Sequence, residues 1–270
     1  MIEAQSFLEE SNALAGLLEP LENSDFGSKT QFKDWSINDV LGHLHIFNHA
    51  AELTLAAPDQ FQPFFAGIME QVAQGKTLVQ AQYDWIGGLS GRGLLKAWQE
   101  GSHRLAEVYQ NADSKTRVKW AGPDMSARSS ITARQMETWA HGQELFDLFG
   151  VQRTDTDRLR NIAHLAVVTI PFAFKIRNEP VPDPLPYIRL TAPSGEVWEW
   201  NTPQDGNSIE GSATGFCQVA TQVRNAKDTD VVALGASATR WTEIAQCFAG
   251  APHPPPQPNT RFAQKEQREP

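Results

Sequence analysis

The chain has 270 residues and a formal charge of −9, with 32 acidic against 23 basic side chains and only two cysteines, Cys217 and Cys247. That length suits one large domain or two ordinary ones. The acidic balance argues against a polyanion as main partner, and two cysteines support neither a disulfide framework nor a thiolate zinc site. No window approaches the ~20 apolar residues of a membrane span, and the acidic, amphipathic N-terminus lacks the marks of a signal peptide, so the expected compartment is the cytoplasm.

The first 150 residues read as helical. Residues 4–19 carry Phe7, Leu8, Leu14, Leu17 and Leu18 at helical spacing, and Pro20 ends the pattern. A second helix is expected from an N-cap at Ser36, with Asp39 at the capping-box position, to Ala57 before Pro58. Residues 59–75 form a further helical segment. A third bundle helix spans 91–111, a loop spans 117–130, and a fourth helix runs from about Ser130 to Phe149, closed by Gly150. Beyond it the texture changes. A helix over 155–176 precedes a Pro-dense spacer, and two strands, 187–192 and 197–201, flank a Pro-Ser-Gly-Glu turn. A helix over 214–224, a short strand over 231–234 and a last helix over 236–248 complete this part. The Pro-rich tail, 251–270, is expected to be disordered.

Three of the seven histidines, His43, His45 and His49, fall within seven residues. On a helical wheel Val40, Leu44, Phe47, Ala51 and Leu55 share one arc, His43 sits at its edge, and His45 and His49 point to the opposite, solvent side. On the fourth helix Glu137 and His141 are four residues apart and so share a face, the same face as Ala133, Ala140, Leu145 and Leu148. An inward carboxylate is costly to bury unpaired. Either Glu137 and His141 form a structural ion pair, or His43, Glu137 and His141 form a three-donor metal site with an open position for water or substrate. Such a set suits zinc, nickel, iron or manganese. Glu144 and Asp39 are candidates to orient a ligand histidine, with capping or core roles as the alternative.

The run DWSINDVLGHLHIFNHAAEL resembles the Trp-[Ser/Thr]-x2-Asp-Val-x2-His-Leu signature of DinB-like metal-binding bundles, and more closely that of the N-terminal domain of the mycothiol-dependent maleylpyruvate isomerases. The metal-binding histidine of that signature falls on His43, and the Glu-x3-His of the last bundle helix falls on Glu137 and His141. The stretches KWAGPDMSARSSITARQMETWAHGQELFDLFG, IRLTAPSGEVWEWN and TRWTEIAQCFAG resemble an uncharacterised bacterial subfamily with a C-terminal region labelled a wyosine base formation domain. The resemblance covers nearly the whole chain except the tail. It implies an α+β protein: a DinB-like four-helix metal-binding bundle over 1–150 and a smaller α/β domain over 151–250, similar to sterol-carrier proteins. It further implies zinc, a low-molecular-weight thiol as co-substrate, and an active-site arginine from the second domain, which falls on Arg224.

Arg224 and Arg128 are thus candidates to hold a substrate carboxylate, with surface salt bridges as the alternative. The expected function is that of a metal-dependent, thiol-dependent isomerase or thiol transferase acting on a small carboxylated or activated-alkene substrate. The rivals are a metal-water hydratase or hydrolase and a non-catalytic, metal-stabilised ligand-binding protein. No nucleic-acid or membrane partner is expected; the acidic balance and the lack of a basic stripe or cysteine-ligated cluster speak against a role on tRNA.

Overall fold

A computed structural model describes residues 1–120, 122 and 124–264. It divides into two compact units, Met1–Leu148 and Phe149–Pro270. The chain is α+β.

Four long helices make the first unit: α1 (Ile2–Leu18), α2 (Ile37–Ala56), α5 (Gly91–Gln110) and α6 (Ala127–Leu148). They pack in a ring, α1 on α5, α5 on α2, α2 on α6 and α6 on α1. Phe7, Ala51, Leu105, Tyr109 and Ile131 form a shared cluster inside it. The start of α2 obeys its sequence: Ser36 Oγ accepts the Asp39 N–H, and the Asp39 carboxylate accepts the Ser36 N–H at 2.7 Å.

A polar seam runs through the apolar ring. The Tyr109 hydroxyl meets Ser130 Oγ at 2.8 Å and Thr54 Oγ1 at 3.1 Å, and Asn48 Nδ2 donates to Ser102 Oγ. Each group is buried, and each finds a partner on another helix, which fixes the mutual register of α2, α5 and α6.

Two shorter helices, α3 (Pro58–Ala73) and α4 (Leu78–Ile86), pack along α2. The sequence reading has no counterpart for α4, whose nine residues are too short for a clear apolar period. Its start does carry a capping box, Thr77 with Gln80. Because α4 exists, the face of α2 assigned to solvent is covered. Ile46, Ile68 and Ala81 form a buried cluster there with Trp85 and Phe64 packed on it. The expected loop over 117–130 instead holds a short antiparallel pair, β1 (Arg117–Val118) and β2 (Met125–Ser126), and α6 starts at Ala127.

In the second unit a four-stranded sheet has the order β4-β3-β5-β6: β3 (Tyr187–Thr191), β4 (Val197–Trp200), β5 (Ser208–Ser212) and β6 (Val232–Leu234). The β3–β4 and β5–β6 pairs are antiparallel, and β3–β5 is parallel. Ile188, Leu190, Trp198 and Ile209 are buried, while Arg189 and Glu210 face each other across the solvent side. That alternation is the mark of a one-sided sheet. β5 went unread in the sequence because SIEGS carries a single large apolar residue. The helix expected over 155–176 is two, α7 (Leu159–Val168) and α8 (Ile170–Lys175). Pro171 sits in the first turn of α8, where its missing N–H is harmless. Helices α9 (Ala213–Ala220) and α10 (Ala236–Ile244) complete the unit, with Phe216 stacked on Trp241 at 5.0 Å.

The tail departs from expectation. Residues 251–264 are not free of the second unit; 265–270 lie outside the described residues. The His253 carbonyl accepts from Arg177 Nη2 at 2.7 Å and from Gln222 Nε2 at 2.9 Å. Asn225 Nδ2 donates to the Pro256 carbonyl, and Arg261 Nη1 to the Gln222 carbonyl. Proline density suggested an unanchored chain, but prolines keep their carbonyl acceptors and lose little entropy on ordering, so side-chain donors can hold such a segment cheaply. No helix of the described residues is long and apolar enough to cross a membrane.

Candidate metal centre

Helix α2 presents His43 and helix α6 presents Glu137 and His141, one turn apart. His43 Nε2 lies 3.4 Å from Glu137 Oε2, and His141 Nε2 lies 3.5 Å from the same oxygen. One donor atom from each of the three residues lies within 4.8 Å of the others, and this is the one such cluster among the described residues. Side-chain exposures of 12%, 22% and 13% leave the cluster mostly enclosed but not sealed from solvent.

Those separations are long for hydrogen bonds. They equal the edge of a tetrahedron of donors around a zinc-sized ion, which for bonds of about 2.1 Å is about 3.4 Å. The histidine–histidine edge is no longer than 4.8 Å, so all three donors are within reach of one ion. Two imidazoles and one carboxylate therefore fit a borderline divalent cation, with a coordination position left over.

Electrostatics keep His43 and Glu137 in ligating form. Burial pushes the His43 imidazole down to about 4, against the upward pull of its Glu137 contact, so the ring is neutral at neutral pH. For Glu137 burial alone would raise the carboxyl; its polar contacts with His141 and His43 and the nearby Arg134 charge outweigh it and hold the group well below the ordinary value.

Aromatic rings enclose the site. Trp35 stacks on the His141 ring at 5.6 Å and lies 5.3 Å from the His43 ring. Phe32 meets His141 edge-on, and Phe47 lies 4.8 Å from His43. His43 Nδ1 is buried without a hydrogen-bond partner, so ring packing rather than a polar partner sets that histidine's orientation.

The remaining candidates fall elsewhere. Asp39 does not orient a histidine: its Oδ2 takes the Ser36 N–H and hydroxyl, which is a cap's work. Glu144 is buried one turn beyond His141. Arg128, in the first turn of α6, pairs with Glu3 at 3.1 Å. It is nine residues from Glu137, about 14 Å along the helix axis, so the structure does not bring it to the cluster. Arg224 follows α9 in the second unit, with Nη1 donating to the Val223 carbonyl. His45 and His49 are only partly exposed: both rings lie against Trp85 of α4, at 5.0 and 5.2 Å.

The sequence reading missed Arg134. It is 3% exposed, its guanidinium lies 5.9 Å from the Phe47 ring centre, and its charge acts on both Glu137 and His43. The spacing 134, 137, 141 is itself a helical stripe and held the signal.

In the metal-free protein, pH should act through His43 and His45, both held to about 4, chiefly by burial. The unfolded chain protonates them near the ordinary 6.5, so between about pH 6.5 and 4 it binds more protons than the folded state. Stability therefore falls as pH falls through that window, and Glu137, with a lowered pKa, adds a loss of the same sign below about 4.5. Thermal melts of chelator-treated protein should show this decline. His43→Gln should flatten it by up to about 3 kcal/mol; an equal slope in the variant would contradict the assignment.

The architecture and the cluster define a class: a DinB-like helical bundle joined to a small α+β unit. Within that class the chain belongs to the mycothiol maleylpyruvate isomerase family, whose N-terminal domain model matches residues 7–146. An uncharacterised protein of Mycobacterium tuberculosis, found in strains CDC 1551 / Oshkosh and H37Rv, is 37% identical over 244 residues, covering 90% of this chain and 93% of its own length. The crystal structure of the mycothiol-dependent maleylpyruvate isomerase shares the fold at 15% identity and a TM-score of 0.50, over 82% of this chain and 88% of that one. A histidine-to-alanine variant of that enzyme gives 17% and 0.51 with the same coverage.

Proposed function

We propose that the chain is a metal-dependent enzyme that uses a low-molecular-weight thiol, either as an isomerase or as a thiol transferase, on a small carboxylated or activated-alkene substrate. The observation that carries this reading is the partly exposed three-donor cluster His43, Glu137 and His141. Membership in a family named for a thiol-dependent isomerase supports it.

His43 Nε2, Glu137 Oε2 and His141 Nε2 would hold the cation, most suitably zinc. A cation there supplies Lewis acidity, which lowers the pKa of a bound thiol or water. The chain's own residues do the rest. Glu137 stays ionised, His43 stays neutral, and Trp35 and Phe32 shield one side of His141 from water. The chain offers no reactive sulfur of its own: Cys217 and Cys247 are buried in the second unit, and burial pushes the Cys217 thiol well up. A sulfur nucleophile must therefore arrive with a co-substrate. A thiolate adding to the β-carbon of an alkene conjugated to a carbonyl turns the double bond into a single bond. Rotation and expulsion of the same thiolate then return the other isomer. The role that the resemblance implies for Arg224 stands as part of this proposal.

Loading the protein with cobalt(II) and adding mycothiol, glutathione or 2-mercaptoethanol tests it. A sulfur-to-cobalt absorption band should appear and should vanish in His141→Ala. Metal uptake without any such band would discard the thiol and favour activation of water for hydration or hydrolysis. Uptake with every coordination position filled by protein would favour a ligand-binding protein.

A further inference from the structure

Arg134 carries more charge into the bundle than its surroundings answer. Only Nε has a protein acceptor, Asn48 Oδ1 at 3.2 Å, and Nη2 is buried without a partner. A guanidinium has five N–H donors in a planar fork, and a buried one is costly unless an anion meets it. Glu137, one turn further along α6, turns Oε2 to both histidines instead.

The charge balance of the cluster sharpens this. A divalent cation, the Arg134 guanidinium and one carboxylate sum to two positive charges, with both imidazoles neutral as ligands. Asn48, Ser102, Thr54 and Tyr109, the buried polar groups on the same seam, are uncharged. Glu52, the other acid on this stretch of α2, faces Arg104 and His49. The buried acid Glu144 is ten residues from Arg134, about 15 Å along the α6 axis, so an anionic guest beside the fork is what would meet the guanidinium.

The position suits such a guest. Arg134 lies one turn before Glu137 on α6, and its guanidinium and the His43 ring flank the same Phe47 ring, at 5.9 and 4.8 Å. From these observations we propose that Arg134 is a substrate-binding residue whose guanidinium fork takes a carboxylate of the substrate beside the cation, so that the site selects small organic acids over their neutral analogues. This rests on the metal-site reading above. Arg134 differs from Arg128, which lies nine residues before Glu137 on the same helix, in being one turn from that donor, and from Arg224 in belonging to the unit that holds the cluster.

The test uses the full chain loaded with zinc and two probes, succinate and neutral succinamide, with 2-mercaptoethanol as a ligand that needs no anion anchor. Titration calorimetry should show succinate binding and succinamide failing. Arg134→Met should weaken succinate at least ten-fold and Arg134→Lys should restore part of it, because a lysine keeps the charge but not the fork. Zinc stoichiometry and 2-mercaptoethanol affinity should stay unchanged in both. Equal succinate affinity in parent and Arg134→Met overturns the inference while leaving the metal site standing. A parent that takes up no zinc overturns the reading beneath it. If Arg134→Met does not fold, the unaltered protein decides: its melting temperature should rise with succinate and not with succinamide, and equal shifts refute the proposal.

Discussion

Replacing Glu137 with alanine should abolish stoichiometric zinc binding. The parent is expected to retain one ion per chain after dialysis, and Glu137→Ala close to none, with His43→Ala and His141→Ala each losing at least a hundred-fold in affinity. The asymmetry follows from geometry: Glu137 Oε2 is the atom that both histidines approach, at 3.4 and 3.5 Å, and Glu137 is the one carboxylate among the three donors. Removing it also leaves Arg134 buried near the empty corner without a counter-charge, which adds instability. Glu137→Gln separates the two effects: it keeps the shape and should still lose most of the zinc. Metal analysis and melting curves on the same samples read both, and variants that bind like the parent would disprove the site.

Cutting the chain after Gly250 should destabilise the second unit by about 3 to 6 kcal/mol. The cut removes the His253 carbonyl shared by Arg177 and Gln222, the Pro256 carbonyl held by Asn225 and the Ala251 carbonyl held by Gln246. Gln222 and Gln246 are both buried; each amide keeps one acceptor, the Ala245 or the Phe248 carbonyl, and loses the other, and a buried N–H left unmatched costs about 1 to 3 kcal/mol. Denaturant melts of the truncated chain should show an earlier transition. A midpoint equal to the parent's would mean that these bonds exchange freely for water.

The bundle was legible because its long helices carry their own signals. The Ser36–Asp39 cap and the apolar arc of α2 are local, and the structure keeps both. The cluster was legible for a related reason: the four-residue spacing of Glu137 and His141 lies within one helix, and the inward edge position of His43 lies within another. What failed was non-local. The wheel placed His45 and His49 in water because it cannot see α4, whose Trp85 covers them. β5 depends on its neighbours β3 and β6 for pairing and has little pattern of its own. The tail's anchoring depends on Arg177, Gln222 and Asn225, up to 76 residues away in sequence. Arg134 was missed because a charged residue on an inward stripe reads as noise until its neighbours are in place.

Trp35 lies directly before the N-cap of α2 and is stacked on a histidine of α6. An indole face against His141 and within 5.3 Å of His43 makes it a natural optical reporter, since its emission senses the charge and motion of both rings. Filling or emptying the cluster should therefore change the fluorescence of the unlabelled chain, and the kinetics of ion exchange can be followed without any added dye.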